Sequence, residues 1–257
     1  MTLTAEAGQS FFAEAANAGA DPRDTAATLA DLASLRTATG WGWARFRRAR
    51  PTAAFSRRDT LASGYPEATR VARRLGFHPI VRPVGGRLVA YHEGALLVDV
   101  LARHPSPADE IHQRFREFGQ AVASALRSLG VDARLGAVAN EYCPGPFSVN
   151  VGGRAKLAGT AQRITRGSFL LSALVIVRDP EPIRSVLCGV YPLIGHHWNP
   201  DTLACVSEQV GSITLVQVRA ALLDALADLL PLQLERMSRP AELDLRVPLA
   251  ACWKFST

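Results

Sequence analysis

Lysine is nearly missing from this chain: 27 arginines stand against two lysines, Lys156 and Lys254. Cysteine is sparse and scattered. Cys143, Cys188, Cys205 and Cys252 show no CxxC spacing, which argues against both a zinc site and a disulfide framework and leaves four reduced thiols, any of which can be reactive. No apolar run reaches the length of a membrane-crossing helix, and "MTLTAEAGQSFFAEAANAGA" lacks a basic stretch followed by an apolar core. The expectation is a cytoplasmic protein with no membrane partner. Repeats, low-complexity tracts, a P-loop and a GxGxxG fingerprint are all missing. His196 and His197 in "GHHWNP" are adjacent, so their side chains diverge on a strand, and no Cys/His/Asp cluster has ligand spacing. No metal site is expected.

What is present suffices for a substantial core: 257 residues, 48% of them hydrophobic. The simplest organisation is an alanine-rich helical extension over 1–35, then one domain over 36–257 whose last stretch, 231–257, packs on it as a tail. The net charge of +6 is uneven, because residues 36–90 hold twelve arginines against Asp59 and Glu67 alone. Such a half presents a positive face suited to an acidic protein or a phosphate, unless it is simply a solvated surface. Nucleic acid ranks last, since finger spacing and interleaved aromatics are lacking.

Periodicity supplies the elements. "WGWARFRRA" reads as a strand, Pro66 to Leu75 as a helix stopped by Gly76, and "HPIVRP" as a strand entering a glycine turn. "RLVAY" and "ALLVDVLA", separated by His92, Glu93 and Gly94, read as a hairpin. Between Pro107 and Leu129 apolar residues recur every three or four positions, giving a helix with Ser106 as its cap and Gly130 as its stop. "FLLSALVIV" is too continuously apolar for a half-exposed strand and belongs in the centre of a sheet. A last helix runs from Leu215 to Leu230, with Thr214 and Gln217 as a capping box and Pro231 beyond it. Regular βαβ alternation is lacking, so the expected class is α+β with a mixed, largely antiparallel sheet flanked by helices.

Two stretches can carry chemistry. In "RPVGGRLVAYH" Gly85 and Gly86 let the backbone approach a ligand and expose amide donors, with Arg82 and Arg87 able to meet an anion. A Gly-Gly turn of this kind is more often structural. In "YCPGPFSVNVGGRAKLAGTAQR" Cys143 lies in a turn bounded by proline and glycine, and Gly152, Gly153 and Gly159 bend the chain around Lys156. Only lysine offers a compact, single ammonium, so a site that needs a point charge selects it; drift explains one lysine equally well. A cation near Cys143 populates the nucleophilic thiolate, whereas a buried free cysteine is inert.

Taken together, "RPVGGRLVAYHEG" and the later "GGRAKLAGTAQR" resemble the biotin/lipoate A/B protein ligase family, with its Arg-bearing GG loop and G-x-K-x-x-G-(S/T)-A-Q pattern. The resemblance implies the mixed sheet shared with class II aminoacyl-tRNA synthetase and biotin ligase catalytic domains. It implies attachment of an octanoyl or lipoyl chain to a lysine of an acidic lipoyl acceptor domain. By motif, Lys156 matches the lysine on the acyl carbonyl or activating phosphate. Arg82, Gly85, Gly86 and Arg87 match the acyl-pocket loop, and Gly159, Thr160, Ala161 and Gln162 complete the second motif. Cys143 matches the acyl-carrying nucleophile of the octanoyltransferase branch. Departures are Tyr91 at the customary histidine position, with His92 one place later, and the extra Ala155 before the lysine; the resemblance still implies Tyr91 and His92 as acyl-binding residues. The transferase reading takes its acyl group from acyl carrier protein and needs no cofactor. The alternative, a lipoate-protein ligase, uses ATP and Mg, and the stretch after Leu230 is short for the accessory domain such ligases carry. A non-catalytic acyl-binding homologue is the third reading.

Overall fold

The computed structural model describes residues 25–36, 42–229 and 246–248. In chain order these form α1 (Thr25–Ser34), β1 (Gly42–Arg48), β2 (Thr52–Phe55), α2 (Tyr65–Arg74), β3 (His78–Val81), β4 (Val89–Tyr91), β5 (Ala95–Arg103), α3 (Ile111–Ser128), β6 (Ala133–Leu135), β7 (Val149–Val151), β8 (Ala155–Thr165), β9 (Ser168–Ile176), α4 (Glu181–Val190), the single turn α5 (Ser207–Val210), α6 (Leu215–Leu229) and β10 (Arg246–Pro248). Residues 1–24 of the expected N-terminal extension, Leu230 at the end of the expected last helix, and 231–245 and 249–257 of the expected tail lie outside the described residues.

Among the described residues, seven strands form one antiparallel sheet in the order β10-β1-β5-β9-β8-β7-β6. A second sheet of three, β3-β2-β4, pairs β2 parallel to β3 and antiparallel to β4. The long strands β5 and β9 are apolar on both faces because both faces are covered. Val98, Val100 and Ala102 of β5 and Phe169, Leu171, Ala173 and Val175 of β9 enter a core beneath α3 and α6, where Phe118, Val122, Leu126, Val218 and Leu222 meet them. The opposite residues Leu97 and Leu174 join a second core formed with the small sheet, α2 and α4. Leu101 and Leu170 meet Leu32 and Leu35 of the α1 segment. The α+β class and the central position of "FLLSALVIV" are thus borne out, with β9 in the middle of the large sheet.

The helix stops also hold. After α2, Gly76 at φ +83° lets its N–H reach Arg73 O while Phe77 N reaches Ala72 O, and Gly130 and Val131 repeat that double bond after α3. Thr214 and Gln217 form the expected capping box, each side chain accepting from the other's backbone N–H.

Three expectations need correction. β4 and β5 are not a hairpin: β4 pairs with β2 in the small sheet and β5 with β1 and β9 in the large one. The chain changes sheets at Gly94, whose carbonyl accepts from Val177 N and Arg178 N, and a Cβ there would lie 2.4 Å from Arg178 O. Ser106 does not cap α3, which starts later behind Glu110 without a side-chain cap; Ser106 N is held by His104 Nδ1. Nor are all the arginines of 36–90 on the surface. Arg45 and Arg47 are buried on Asp99, while Arg50, Arg57, Arg58, Arg70, Arg73 and Arg74 are exposed.

Candidate active site

The two sheets do not close on each other completely. Between them lies a cleft of about 750 Å³ that includes its opening to solvent. Its middle is apolar, with Ile80, Val84, Val89, Leu97, Leu170 and Leu174. The residues with chemistry sit towards the β8 side, where the loop between β6 and β7 brings Cys143 over Lys156.

Cys143 is held in an unusual conformation. Its φ of +43° is in the left-handed region that side chains rarely adopt, and the surroundings fix it there. Tyr191, buried immediately after α4, accepts from Cys143 N at 2.7 Å and donates to Leu88 O at 2.9 Å, tying the cysteine loop to the start of β4. The half-buried thiol faces the glycine loop, where Arg87 N donates to Sγ at 3.2 Å and Arg82 Nη2 lies at 3.5 Å. The approach requires glycine at 86: a Cβ on that residue, at φ +101°, would lie 2.9 Å from Sγ and 2.4 Å from Arg82 Nη2. Both neighbours of the sulfur are donors.

Lys156 is 1% exposed and supports the loop from below. Its Nζ donates to Cys143 O at 2.8 Å and Tyr142 O at 3.1 Å, stands 4.8 Å from the Tyr142 ring centre, and faces Glu141 Oε2 at 3.3 Å. The Glu141 contact is an ion pair without hydrogen-bond alignment, so one of the ammonium's three donors stays uncommitted. Glu141 Oε1 in turn accepts from Ser148 Oγ and Gly145 N, closing the loop on itself. Gly159 leaves room for the lysine, since a Cβ there would lie 3.1 Å from Lys156 Cε.

Of the residues expected from sequence, Arg82, Tyr91, Cys143, Lys156, Gly159, Thr160 and Ala161 line the cleft. Five do not. Gly86 and the backbone of Arg87 back the thiol instead, and the Arg87 side chain turns to Asp59 at 3.9 Å. Gly85 N reaches Gln162 O, and the Gln162 side chain accepts from Arg114 Nε and donates to Ile111 O, so it fastens β8 to α3. His92 is buried with both ring nitrogens engaged, Nε2 with Asp179 O and Nδ1 with Gly94 N, which leaves no nitrogen for a substrate. His196 rests on Tyr191 and faces Asp59 at 3.4 Å; among the described residues no group of His, Cys, Asp or Glu is gathered as a metal site. Among them, too, no helix is long and apolar enough to cross a membrane.

Sequence reasoning missed Tyr191, Glu141 and a polar cluster opposite Lys156. There Asp99 Oδ2 accepts from Arg45 Nε at 2.9 Å and Arg47 Nη2 at 2.6 Å, and Oδ1 accepts from Ser172 Oγ at 2.6 Å. Burial alone would raise the Asp99 pKa; Arg47 and Arg45 outweigh it and hold the carboxyl below its ordinary range. Burial pushes Tyr91 up to about 12 and raises Tyr142 and Tyr191 as well, so all three hydroxyls stay protonated. The only advance sign of the cluster was Arg45, Arg47 and Asp99 breaking otherwise apolar strands.

The site thus brings together a thiol set on donors, a lysine beneath it and an apolar cleft between two sheets. Residues 60–227 match the lipoyl protein ligase A/B catalytic domain, and the chain belongs to that family. An octanoyl-GcvH:protein N-octanoyltransferase of Geobacillus kaustophilus is 26% identical over 163 residues, covering 60% of this chain and 57% of that protein. Its counterpart in Bacillus velezensis is 26% identical over 209 residues, 75% of this chain and 70% of that one. Among solved structures, the bi-partite lipoate protein ligase of Thermoplasma acidophilum shares the fold at a TM-score of 0.60 with 22% identity, covering 80% of this chain and 79% of that one. A lipoate-protein ligase A bound with ATP aligns at 0.59 with 20% identity, over 77% of each chain.

Proposed function

We propose that the protein is an enzyme that transfers an octanoyl or lipoyl group from a carrier protein, through a thioester on Cys143, to a lysine of an acceptor lipoyl domain. The observation that carries this reading is the Cys143 thiol, held in a left-handed conformation at the head of an apolar cleft with two donors on its sulfur. The thiolate attacks the acyl carbonyl. The donor's leaving group, the thiolate of a thioester carrier or the lysine nitrogen of an N-octanoyl carrier, departs with the proton that Cys143 gave up. The acceptor amine then displaces Sγ from the acyl-enzyme. The uncommitted Lys156 donor serves the oxyanion, where one well-placed donor contributes about 3 kcal/mol. Each methylene buried in the cleft adds roughly 0.8 kcal/mol.

The names of the relatives put the donor octanoyl group on GcvH; a thioester of acyl carrier protein is the other donor this chemistry accepts. Both the lipoyl domain and acyl carrier protein are expected to be acidic. Arg57, Arg58, Arg70, Arg73 and Arg74, exposed around α2 with Leu61 exposed among them, offer complementary charge. The transfer needs neither ATP nor Mg.

The test is incubation with each octanoylated carrier, without nucleotide, followed by intact-mass measurement. An added octanoyl group that hydroxylamine removes and Cys143→Ser abolishes is the expected result. A lipoyl-adenylate formed only when ATP, Mg and lipoate are added, with no adduct on the protein, would move the chain to the ligase reading.

A further inference from the structure

Asp59 is a buried carboxylate that no step of the transfer uses. It opens the short turn Asp59–Leu61 that follows β2, and its side chain is closed to solvent. Oδ2 accepts from Ser56 N at 2.7 Å, and Asp59 N donates to Ser56 Oγ at 3.2 Å, a local turn of ordinary kind. Oδ1 has no hydrogen bond among the described residues. Two side chains from distant parts of the chain lie within ion-pair reach of it, His196 Nε2 at 3.4 Å and Arg87 Nη1 at 3.9 Å. A buried carboxylate is costly to leave alone, and the guanidinium is the group whose fixed charge offsets it.

Both side chains lead to Cys143. Arg87 N donates to Cys143 Sγ at 3.2 Å, and Arg87 O accepts at 2.6 Å from Arg82 Nη2, the same atom that stands 3.5 Å from the sulfur. Both donors on the thiol therefore depend on where the Arg87 main chain sits. The exposed pair Gly85 and Gly86 precedes it and fixes little by itself, so that peptide depends on what holds Arg87 and Leu88. Leu88 O is held by the Tyr191 hydroxyl, which also accepts from Cys143 N. His196 braces that tyrosine: its backbone N donates to Tyr191 O at 2.9 Å, and the two rings lie 5.8 Å apart. Asp59 itself does not line the cleft, so it acts on the thiol only through these neighbours.

The structure assigns Asp59 as a positioning residue of the Cys143 thiol: its carboxylate anchors the Arg87 side chain, and with it the loop that sets Arg87 N and Arg82 Nη2 on the sulfur, while His196 extends the same anchor to Tyr191. The inference rests on the transfer reading for the use made of that thiol. A carboxylate serving the turn alone would be replaceable by an amide, because Ser56 N needs only a side-chain oxygen. One serving Arg87 is not replaceable in this way, because the amide carries no charge.

The test is a double-mutant cycle on Asp59→Asn and Arg87→Met. Steady-state transfer from octanoyl-GcvH and octanoyl-acyl carrier protein gives kcat and KM. Cys143 alkylation by iodoacetamide, followed by peptide mass, reads the thiol without acyl chemistry. Asp59→Asn is expected to lower kcat and the alkylation rate by tenfold or more, with KM for the carrier within about twofold of the unaltered protein. Arg87→Met, at a partly exposed side chain, should lower both rates, and the double variant should be no slower than Asp59→Asn alone, because both changes remove one linkage. Losses that multiply in the double variant overturn the inference, and so does a fall in melting temperature with both rates kept. If Asp59→Asn does not fold, Arg87→Met decides: unchanged rates overturn the inference, and lowered rates in a folded protein uphold it. The transfer reading is judged apart. Slowed alkylation in Asp59→Asn, with no acyl-enzyme from either carrier in the unaltered protein, sinks transfer and keeps the anchor. An acyl-enzyme formed equally fast by both proteins keeps transfer and sinks the anchor.

Discussion

The Lys156 ammonium donates to the main-chain carbonyl of Cys143, 2.8 Å away, while the thiol of the same residue turns to the amide of Arg87 on the opposite side. The lysine that stands out in an arginine-dominated chain thus holds the cysteine's backbone, and its ion partner is Glu141. Replacing it by methionine leaves Glu141 Oε2, buried and otherwise without a hydrogen bond, facing no charge. Breaking a buried pair from one side costs about 3–5 kcal/mol. Urea unfolding of Lys156→Met should show a loss in that range, and Glu141→Gln combined with it should restore part. A loss below about 1 kcal/mol, with activity gone, would mean the ammonium serves only the substrate.

Gly86 sets the thiol's position. At φ +101°, with Sγ 2.9 Å and Arg82 Nη2 2.4 Å from where a Cβ would stand, alanine cannot enter without moving one of them. The residue is exposed on a loop, so the cost to the fold should stay near 1 kcal/mol while the thiol is displaced. Gly86→Ala is expected to slow Cys143 alkylation by iodoacetamide, and acyl transfer with it, by tenfold or more, at nearly unchanged melting temperature. Equal alkylation rates would show that the loop yields freely.

Tyr191 is the residue that no motif announced. It sits more than forty positions from Cys143, in a segment read only for its histidines, and its role depends on a tertiary bridge to Cys143 N and Leu88 O. Tyr191→Phe leaves two buried backbone groups without their partner, at about 1–3 kcal/mol. It also frees the left-handed Cys143 to relax, so transfer should fall by more than stability alone accounts for. Comparing kcat with KM separates the two: a positioning role lowers kcat, while a purely structural one lowers only the midpoint of unfolding.

The legible parts of the molecule are those where local chemistry decides. The helix stops at Gly76 and Gly130, the Thr214 and Gln217 box and the central strand over residues 169–177 follow from turn residues and apolar runs, and the two motifs found the cleft residues Arg82, Cys143 and Lys156. The crossing at Gly94 was illegible because two consecutive strands look the same whether they pair with each other or part into different sheets. Arg45 and Arg47 were counted as surface charge because their partner, Asp99, is more than fifty residues away and only strand pairing brings them together. His92 looked like a ligand-binding histidine, yet Asp179 O and Gly94 N take both of its nitrogens, and nothing in the local sequence signals that.

The Asp99 cluster should give the protein a distinct response to acid. The carboxyl is buried, and Arg47 and Arg45 outweigh the effect of that burial, so its folded pKa lies below the ordinary 3.8. A group depressed on folding stabilises fully above its unfolded pKa, and that contribution is lost as pH falls through the folded value. Stability measured by urea should therefore be level in this respect near neutrality and decline below about pH 4. Asp99→Asn removes the charge that Arg45 and Arg47 share and should lower stability by about 3–5 kcal/mol at neutral pH. Because the asparagine does not titrate, the gap between variant and unaltered protein should narrow as the pH drops further. A gap that stays constant from neutrality into the acid range would mean that the carboxylate's charge contributes nothing, and that packing alone holds the two arginines beneath α1.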